Sequence, residues 1–273
     1  PDNSIIVLPF DDISPNKDQE YFSDGLTEEI ITDLSHIHDL LVISRNSAMT
    51  FKHSKKKTTE IAGEVNVRYV LEGSVRKAEN NLRITAQLID AEKDIHLWAE
   101  KYDGKIDDVF KIQEEVSQSI VEALNLKLTP QENKNISDHP INNSEALDLY
   151  LKARYEVLSF KEDALIRGIQ LLKNGLELLG ENALLYSTLG LAYLIHFEVV
   201  SKKDRSYLEK AQDCLKKVKR LNPDSYFHYS LKANIFLRQG NTKKAVVEFN
   251  KALEKNPNDI DSWSRLGWIY MHS

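Results

Sequence analysis

Residues 263–270 read Trp-Ser-Arg-Leu-Gly-Trp-Ile-Tyr, and residues 186–193 repeat the same spacing of an aromatic residue, a leucine, a glycine and a tyrosine. Between these two stretches, Pro223 and Pro257 lie 34 residues apart. A period of about 34 residues with aromatic and small residues at fixed positions is typical of repeated helix pairs, each of which buries one face on the next. The sequence therefore predicts that the C-terminal half is all-α.

Small residues mark the places where the paired helices are expected to touch. Five residues occupy these positions of the repeat: Gly190, Ala233, Ala245, Ala252 and Gly267. Gly190 and Ala211 lie 21 residues apart where about 12 are expected, so an insertion is predicted within residues 194–206. A weaker repeat precedes them at residues 146–180. The pattern resembles the tetratricopeptide repeat family, which implies an all-α solenoid of about three and a half repeats over residues 144–273.

The last helix of this pattern, residues 261–272, carries Trp263, Trp268 and Tyr270. The second helix of that repeat does not follow in the sequence, so we expect one apolar face to stay uncovered. Because exposed apolar patches attract partners, this end is predicted to self-associate. A protein or peptide partner is expected in the groove that stacked helix pairs form.

Strand and helix patterns alternate over residues 1–130. Strands are predicted at residues 4–10, 40–44, 68–76, 82–89 and 95–102, and helices after Asp24, at 58–65 and at 109–124. Short apolar, β-branched runs favour strands, whereas apolar residues spaced by three and four favour helices. These elements predict an α/β sandwich built on a mixed five-stranded sheet. Residues 131–143 are polar and contain Pro140, which predicts a linker between the two domains.

Charge is divided unevenly between the two halves. Residues 1–140 contain 16 Lys and Arg against 26 Asp and Glu, and residues 141–273 contain 20 against 16, so nets of −10 and +4 give −6 for the chain. An acidic half without a basic footprint argues against a nucleic-acid partner. Apolar runs stop far short of the ~20 residues that cross a bilayer. The single cysteine, Cys214, excludes an internal disulfide.

Motifs that carry chemistry are scarce. The sequence lacks the glycine-rich loops of nucleotide sites and the H-E-x-x-H and G-x-S-x-G motifs, so no catalytic residue, metal or cofactor is predicted. The one candidate ligand cluster is Asp11, Asp12 and Asp24, which could meet at a strand end, where α/β folds bind ligands. Asp24 is equally an ordinary N-cap residue, so a purely structural role stays open.

Residues 4–130 resemble the TolB amino-terminal-like domain. The resemblance rests on stretches in the family's order, namely residues 6–10 (I-V-L-P-F), 21–30 (Y-F-S-D-G-L-T-E-E-I), 69–76 (Y-V-L-E-G-S-V-R), 83–90 (R-I-T-A-Q-L-I-D), 97–98 (L-W) and 102–103 (Y-D). Two departures are residues 79–81 in place of a glycine-containing turn, and Gly104 where an arginine often follows. The family has no established catalytic residues that could be carried over.

The resemblance implies a setting for the chain. Bacteria place this domain before tetratricopeptide arrays in adenylate/guanylate cyclases, serine/threonine protein kinases and winged-helix regulators. It often follows a membrane-spanning helix, so the region would be cytoplasmic or periplasmic in its parent. The chain begins at Pro1, and we expect an excised piece whose cyclase or kinase active site lies upstream.

The residues and the resemblance together predict a non-catalytic protein-interaction and sensory region of a larger bacterial signalling protein. The alternative is a small-molecule or nucleotide sensor, or an enzyme, acting through the α/β domain. A ligand-dependent change in melting temperature, screened with nucleotides and divalent ions, separates these two hypotheses.

Overall fold

The computed structural model describes residues 2–137, 139–200, 204–257 and 259–272. The chain forms two compact units, Pro1–His139 and Pro140–Ser273. The first unit contains the sheet, and the second is helical.

The first unit is built on a six-stranded mixed sheet. Its strands are β1 (Ser4–Val7), β2 (Asp11–Asp12), β3 (Leu41–Val42), β4 (Tyr69–Ala78), β5 (Asn81–Asp90) and β6 (Ile95–Lys105). They lie in the order β3-β1-β4-β5-β6, and β2 pairs with β4. Strand β1 is parallel to both β3 and β4, and β2 is parallel to β4, whereas β5 pairs antiparallel with both β4 and β6.

Helices pack around this sheet, and both of its faces are covered at β1, because the successive residues Ile5, Ile6 and Val7 are all fully buried. The helices are α1 (Glu20–Ser35), α2 (Arg45–Met49), α3 (Thr58–Val65), α4 (Val109–Ala123) and α5 (Pro130–Ser137). Helix α4 packs on β5, β6 and α1. Its buried stripe of Val109, Ile112, Val116 and Ile120 has the spacing of three and four residues that the sequence predicted. Alternate residues of β5, from Leu82 to Leu88, are buried, because successive side chains of a strand point to opposite faces.

Two predictions for this unit are wrong, and a third segment differs from expectation. The sheet has six strands rather than five, because Asp11 and Asp12, predicted as a loop, pair with β4. Helix α1 begins at Glu20 rather than after Asp24, since Asp12 accepts the backbone N–H of Gln19 and orders the turn before the helix. Residues 131–143, predicted as a linker, contain most of α5, in which Ile136 is buried.

The second unit is a succession of paired helices. They are α6 (Ser144–Val157), α7 (Glu162–Leu179), α8 (Ala183–Val199), α9 (Ser206–Leu221), α10 (Tyr226–Arg238), α11 (Thr242–Lys255) and α12 (Ile260–Met271). Helix α6 packs against α7, α8 against α9, and α10 against α11. Helix α8 has 17 residues and α10 has 13, so part of the predicted insertion at residues 194–206 lengthens α8 by about one turn. Residues 201–203 of that insertion lie outside the described residues.

The small residues of the repeat lie in close helix contacts, with one exception. Ala233, Ala245 and Ala252 are fully buried. A Cβ built on Gly190 would lie 2.8 Å from Leu231 Cδ2. Gly267 is exposed, and a Cβ built there meets no described atom within 4 Å. The close approach predicted at Gly267 is therefore not found in the described part of the chain.

Candidate functional site

The structure gives each of the three candidate aspartates a separate environment. Asp11 lies exposed on β2. The carboxylate of Asp12 accepts the backbone N–H groups of Ser14 at 2.9 Å and of Gln19 at 2.8 Å. Burial raises the pKa of Asp12, but these hydrogen bonds outweigh it and lower the pKa below its ordinary value. Asp12 therefore holds the loop between β2 and α1 in place.

Asp24 belongs to an ion-pair row on α1. Its Oδ2 atom lies 2.6 Å from Nζ of Lys52, and the same ammonium lies 2.8 Å from Glu20 Oε1. One turn further along α1, Glu28 pairs with Arg45 at 3.0 Å. Burial raises the pKa of Asp24, and Lys52 opposes that rise. The three carboxylates are spaced by four residues and lie on one face of α1. Their ion pairs hold the segment around α2 against α1, so the role of Asp24 is structural.

Two further observations concern chemistry. No group of three or more His, Cys, Asp or Glu side chains is placed to hold a metal ion among the residues that the structure describes. Cys214 is buried on α9, and burial raises the pKa of its thiol to about 12. Because the thiolate is the reactive form, this cysteine is an inert core residue near neutral pH.

A recurring contact defines the register of the helix pairs. Tyr186 and Tyr229 precede the small residues Gly190 and Ala233 by four positions. The Nζ atom of Lys217, on α9, lies 4.5 Å from the ring centre of Tyr186, and Lys251, on α11, lies 5.8 Å from that of Tyr229. In these two pairs, a lysine of the second helix therefore covers an aromatic ring of the first by a cation–π contact.

The first helices of successive pairs also bring charged groups together. We call Glu198, Asn234, Arg238 and Arg265 the Arg238 cluster; they come from α8, α10 and α12. The side chain of Arg238 is 12% exposed and donates to Glu198. Burial lowers the pKa of Arg238, and the positive charge of Arg265 lowers it further, whereas Glu198 opposes both. Arg265 has no carboxylate partner in the described part of the chain, so the cluster carries excess positive charge.

Two buried atoms of the Arg238 cluster are unsatisfied. Asn234 is 2% exposed; its amide donates to the carbonyl oxygen of Ser230 at 3.0 Å, but its Oδ1 atom accepts nothing from the described residues. The Nε–H of Arg238 is likewise without a hydrogen-bond partner there. Buried polar groups are almost always hydrogen-bonded, and an unpaired one costs free energy. Both atoms are enclosed by the surrounding side chains, so their unpaired state makes the packing of α10 less stable.

Sequence reasoning missed the Arg238 cluster. Its members are scattered over 68 positions, and no short motif joins Glu198 on α8 to Arg265 on α12. The one available signal was the repeat register, because it places Asn234 and Arg238 one turn apart on the same face of a first helix.

Exposed aromatic side chains are concentrated on α12. Trp263 is 57% exposed, Trp268 52%, Tyr270 62% and Met271 77%. Trp263 occupies the repeat position of Tyr186 and Tyr229, but no lysine among the described residues covers it. Its indole N–H donates to the carbonyl oxygen of Pro257 at 2.8 Å. The opposite side of α12 is buried through Leu266 and Ile269, which join Ala233 and Phe249 in one apolar cluster.

Comparison with known families gives two matches. Residues 1–123 match the model of the second domain of the HilA/YgeH-like transcriptional regulators. Residues 248–273 match a tetratricopeptide repeat model. The repeat prediction is confirmed there by a family match, and the first half is a mixed sheet with helices. No described helix is both long and apolar enough to span a membrane.

Known proteins similar to this chain include one curated relative from Rhizobium meliloti (strain 1021), which is named "Putative adenylate cyclase 3". It is 42% identical over 194 residues, which is 71% of this chain and 33% of the relative, so the chain spans about a third of that protein's length. Among solved structures, TolB from Acinetobacter baumannii aligns over 44% of this chain and 28% of its own, with 20% identity and a TM-score of 0.34. The lipoprotein GNA1162 from Neisseria meningitidis aligns over 44% and 98%, with 16% identity and the same TM-score.

Proposed function

We propose that this chain is a non-catalytic protein-interaction region of a larger bacterial signalling protein. In this proposal residues 1–130 form one domain, residues 131–143 connect it, and residues 144–273 form a tetratricopeptide solenoid that binds a protein partner. The repeat match and the similarity to a protein named as an adenylate cyclase support this kind of role. The output domain, a cyclase or a kinase, would lie elsewhere in the whole protein.

The observation that carries the proposal is the Arg238 cluster. Arg238 and Arg265 repel each other, only Arg238 of the two pairs with a carboxylate among the described residues, and a buried donor and a buried acceptor beside them are unsatisfied. An acidic extended peptide brings carboxylates to Arg265, which is partly exposed. A carboxylate on that peptide would relieve the repulsion between Arg238 and Arg265, because a charge-assisted hydrogen bond is stronger than a neutral one. The partner segment is therefore an acidic stretch.

Binding of a fluorescently labelled, glutamate-rich peptide to the full chain tests the proposal. We expect Arg265→Glu to weaken binding at least about tenfold, because it reverses a charge that faces the peptide. Arg167→Glu is the matched control, since Arg167 lies on α7 and pairs with Glu156 at 2.7 Å, away from the cluster. Equal effects of the two substitutions, or binding that does not fall with added salt, would contradict the proposed site.

The exposed side of α12 is a second part of the proposal. Because lysines cover the equivalent aromatic rings of Tyr186 and Tyr229, we propose that a further helix covers Trp263 in the whole protein. The chain as given would then self-associate through this face. Light scattering is expected to show association that Trp268→Glu reduces, and that an extension by about one repeat of 34 residues reduces to the same degree. A chain that stays monomeric at high concentration, with Trp268 shielded from quenchers, would contradict this.

A further inference from the structure

Strand β6 is the free edge of the sheet in the first unit. It is 11 residues long, and β5 is its one partner strand among the described residues. Most of β6 is exposed, including Ile95 at 46% and Leu97 at 39%. An edge strand presents a row of unpaired N–H and C=O groups, which is a ready template for another strand.

The ladder between β5 and β6 fixes the direction of each backbone group. The N–H of Ile106 donates to the carbonyl oxygen of Asn80 at 3.0 Å, and Asn81 lies opposite Lys105 in the same register. Hydrogen-bonded and non-hydrogen-bonded pairs alternate in an antiparallel ladder, so the even-numbered residues from 98 to 104 bond to β5. The odd-numbered residues 99, 101, 103 and 105 therefore direct their N–H and C=O groups outward.

Two features limit the usable edge. The outward N–H of Lys105 already donates to Asp108 Oδ2 at 2.7 Å, which independently supports the assignment of directions. A bulge shifts the register between the partners of Leu88 and Ile89, so the regular part of β6 begins at Trp98. Ala99, Lys101 and Asp103 remain, with backbone groups in line and without partners among the described residues.

The charges along this edge are asymmetric. Asp103 pairs with Arg83 across the sheet on β5. Lys101, two residues earlier on the same face, forms no ion pair with the described residues. A lysine on an edge strand usually discourages pairing. It favours pairing, however, when the incoming strand places a carboxylate directly opposite.

We propose that β6 pairs antiparallel with β6 of a second copy of this chain, about a two-fold axis at Tyr102. A two-fold axis normal to a continuous sheet must pass through a residue that faces itself. An axis at Glu100, Lys101 or Asp103 would place like charges opposite each other, which is destabilising. An axis at Ala99 would draw the bulged residues into the ladder.

The axis at Tyr102 avoids both problems. It places Lys101 of each copy opposite Asp103 of the other, so two complementary cross-strand pairs form. Because Lys101 and Asp103 both direct their backbone groups outward, these are also the hydrogen-bonded pairs of the new ladder, with two backbone bonds in each. The backbone groups of Tyr102 bond to β5, so the pair that Tyr102 forms with its own copy at the axis is a non-hydrogen-bonded pair of the new ladder. This agrees with the alternation of the two kinds of pair.

Charge reversal with reconstitution tests this pairing. The experiment uses the full chain carrying Trp268→Glu, so that α12 does not contribute, and measures dimerisation by sedimentation over a concentration series. In a dimer of the Lys101→Glu variant, a glutamate faces Asp103 of the other copy at both cross-strand pairs. In a dimer of the Asp103→Lys variant, two lysines face each other at both pairs. We expect each to weaken dimerisation about tenfold. In an equal mixture both opposed pairs are complementary again, so the heterodimer is expected to recover the parental affinity.

Two further variants separate pairing from general effects of charge and folding. Lys101→Pro removes an outward N–H without removing a bond to β5, so it is expected to abolish dimerisation and leave the far-ultraviolet circular dichroism unchanged. Lys111→Glu changes a 75% exposed lysine on α4 and is expected to have no effect on dimerisation. A monomeric parent chain, a mixture that does not recover, or a Lys101→Pro variant that still dimerises would overturn the proposal.

Discussion

The same substitution at two equivalent glycines of the helix pairs is expected to have opposite effects on stability. Gly190 on α8 and Gly267 on α12 both lie four residues after the aromatic position of the repeat. Replacing glycine by alanine inside a helix gains about 1 kcal/mol from helix propensity alone. At Gly267 a Cβ meets no described atom within 4 Å, so Gly267→Ala is expected to stabilise the second unit by about 0.5–1 kcal/mol.

At Gly190 the added methyl group has no space. Its Cβ would lie 2.8 and 2.9 Å from the two Cδ atoms of Leu231 and 3.2 Å from Cys214 Cβ. Overpacking of this kind costs about 1–3 kcal/mol. The gain in propensity offsets part of that cost, so Gly190→Ala is expected to be neutral to destabilising by about 2 kcal/mol.

Urea unfolding of the full chain carrying Trp98→Phe, followed by the fluorescence of the two tryptophans on α12, measures both effects. The free energies of unfolding of the two variants are expected to differ by about 0.5–3 kcal/mol, with Gly190→Ala the less stable. If both midpoints rise by the same amount, α8 does not approach α9 and α10 as closely as described, and the reasoning from repeat geometry is refuted.

Three other predictions concern single buried or strained positions. Cys214 is expected to react with a thiol reagent only after unfolding, because burial raises its pKa to about 12; rapid reaction of the native chain would contradict this. Burial raises the pKa of Asp33 well above its ordinary value although Gln113 and Ser117 donate to it, so the folded chain keeps this proton to higher pH than the unfolded chain. The free energy of unfolding should therefore fall as pH rises from about 4, and Asp33→Asn should reduce that slope in urea midpoints measured at several pH values. Gly240 has a φ of 77° and open space around its Cα, so Gly240→Ala is expected to cost about 1–2 kcal/mol in thermal unfolding through backbone strain alone, and an unchanged midpoint would exclude that strain.

Local patterns predicted the elements whose signal is contained in their own residues. Helix α3 spans Thr58–Val65 as predicted, and the β4–β5 hairpin turns at the expected residues. The alternation along β5 and the stripe on α4 both arise because one face is buried. In such elements the period of apolar residues reports the fold directly.

Elements that depend on distant partners were not predictable in this way. Strand β2 consists of two aspartates and has no apolar alternation, so its pairing with β4 is decided by the path of the chain after β1. The start of α1 depends on a carboxylate seven residues away from Gln19. Gly267 fitted the repeat pattern, but a close approach also requires a second helix. The Arg238 cluster forms only when three helices are packed in register, and that packing is visible only in the three-dimensional structure.

The parallel pairing of β1 has a consequence for how the chain is made. Ile5 lies opposite Tyr69, so β1 must wait for about 64 further residues before its partner on that side exists. At about 5–20 residues per second, this is a delay of several seconds during synthesis. Ile5, Ile6 and Val7 are fully buried in the finished sheet and lack the cover of β4 throughout that interval. The contacts within α10 and α11, by contrast, are local and can form as soon as each pair leaves the ribosome. The amino-terminal unit is therefore the part of the nascent chain that most needs a chaperone.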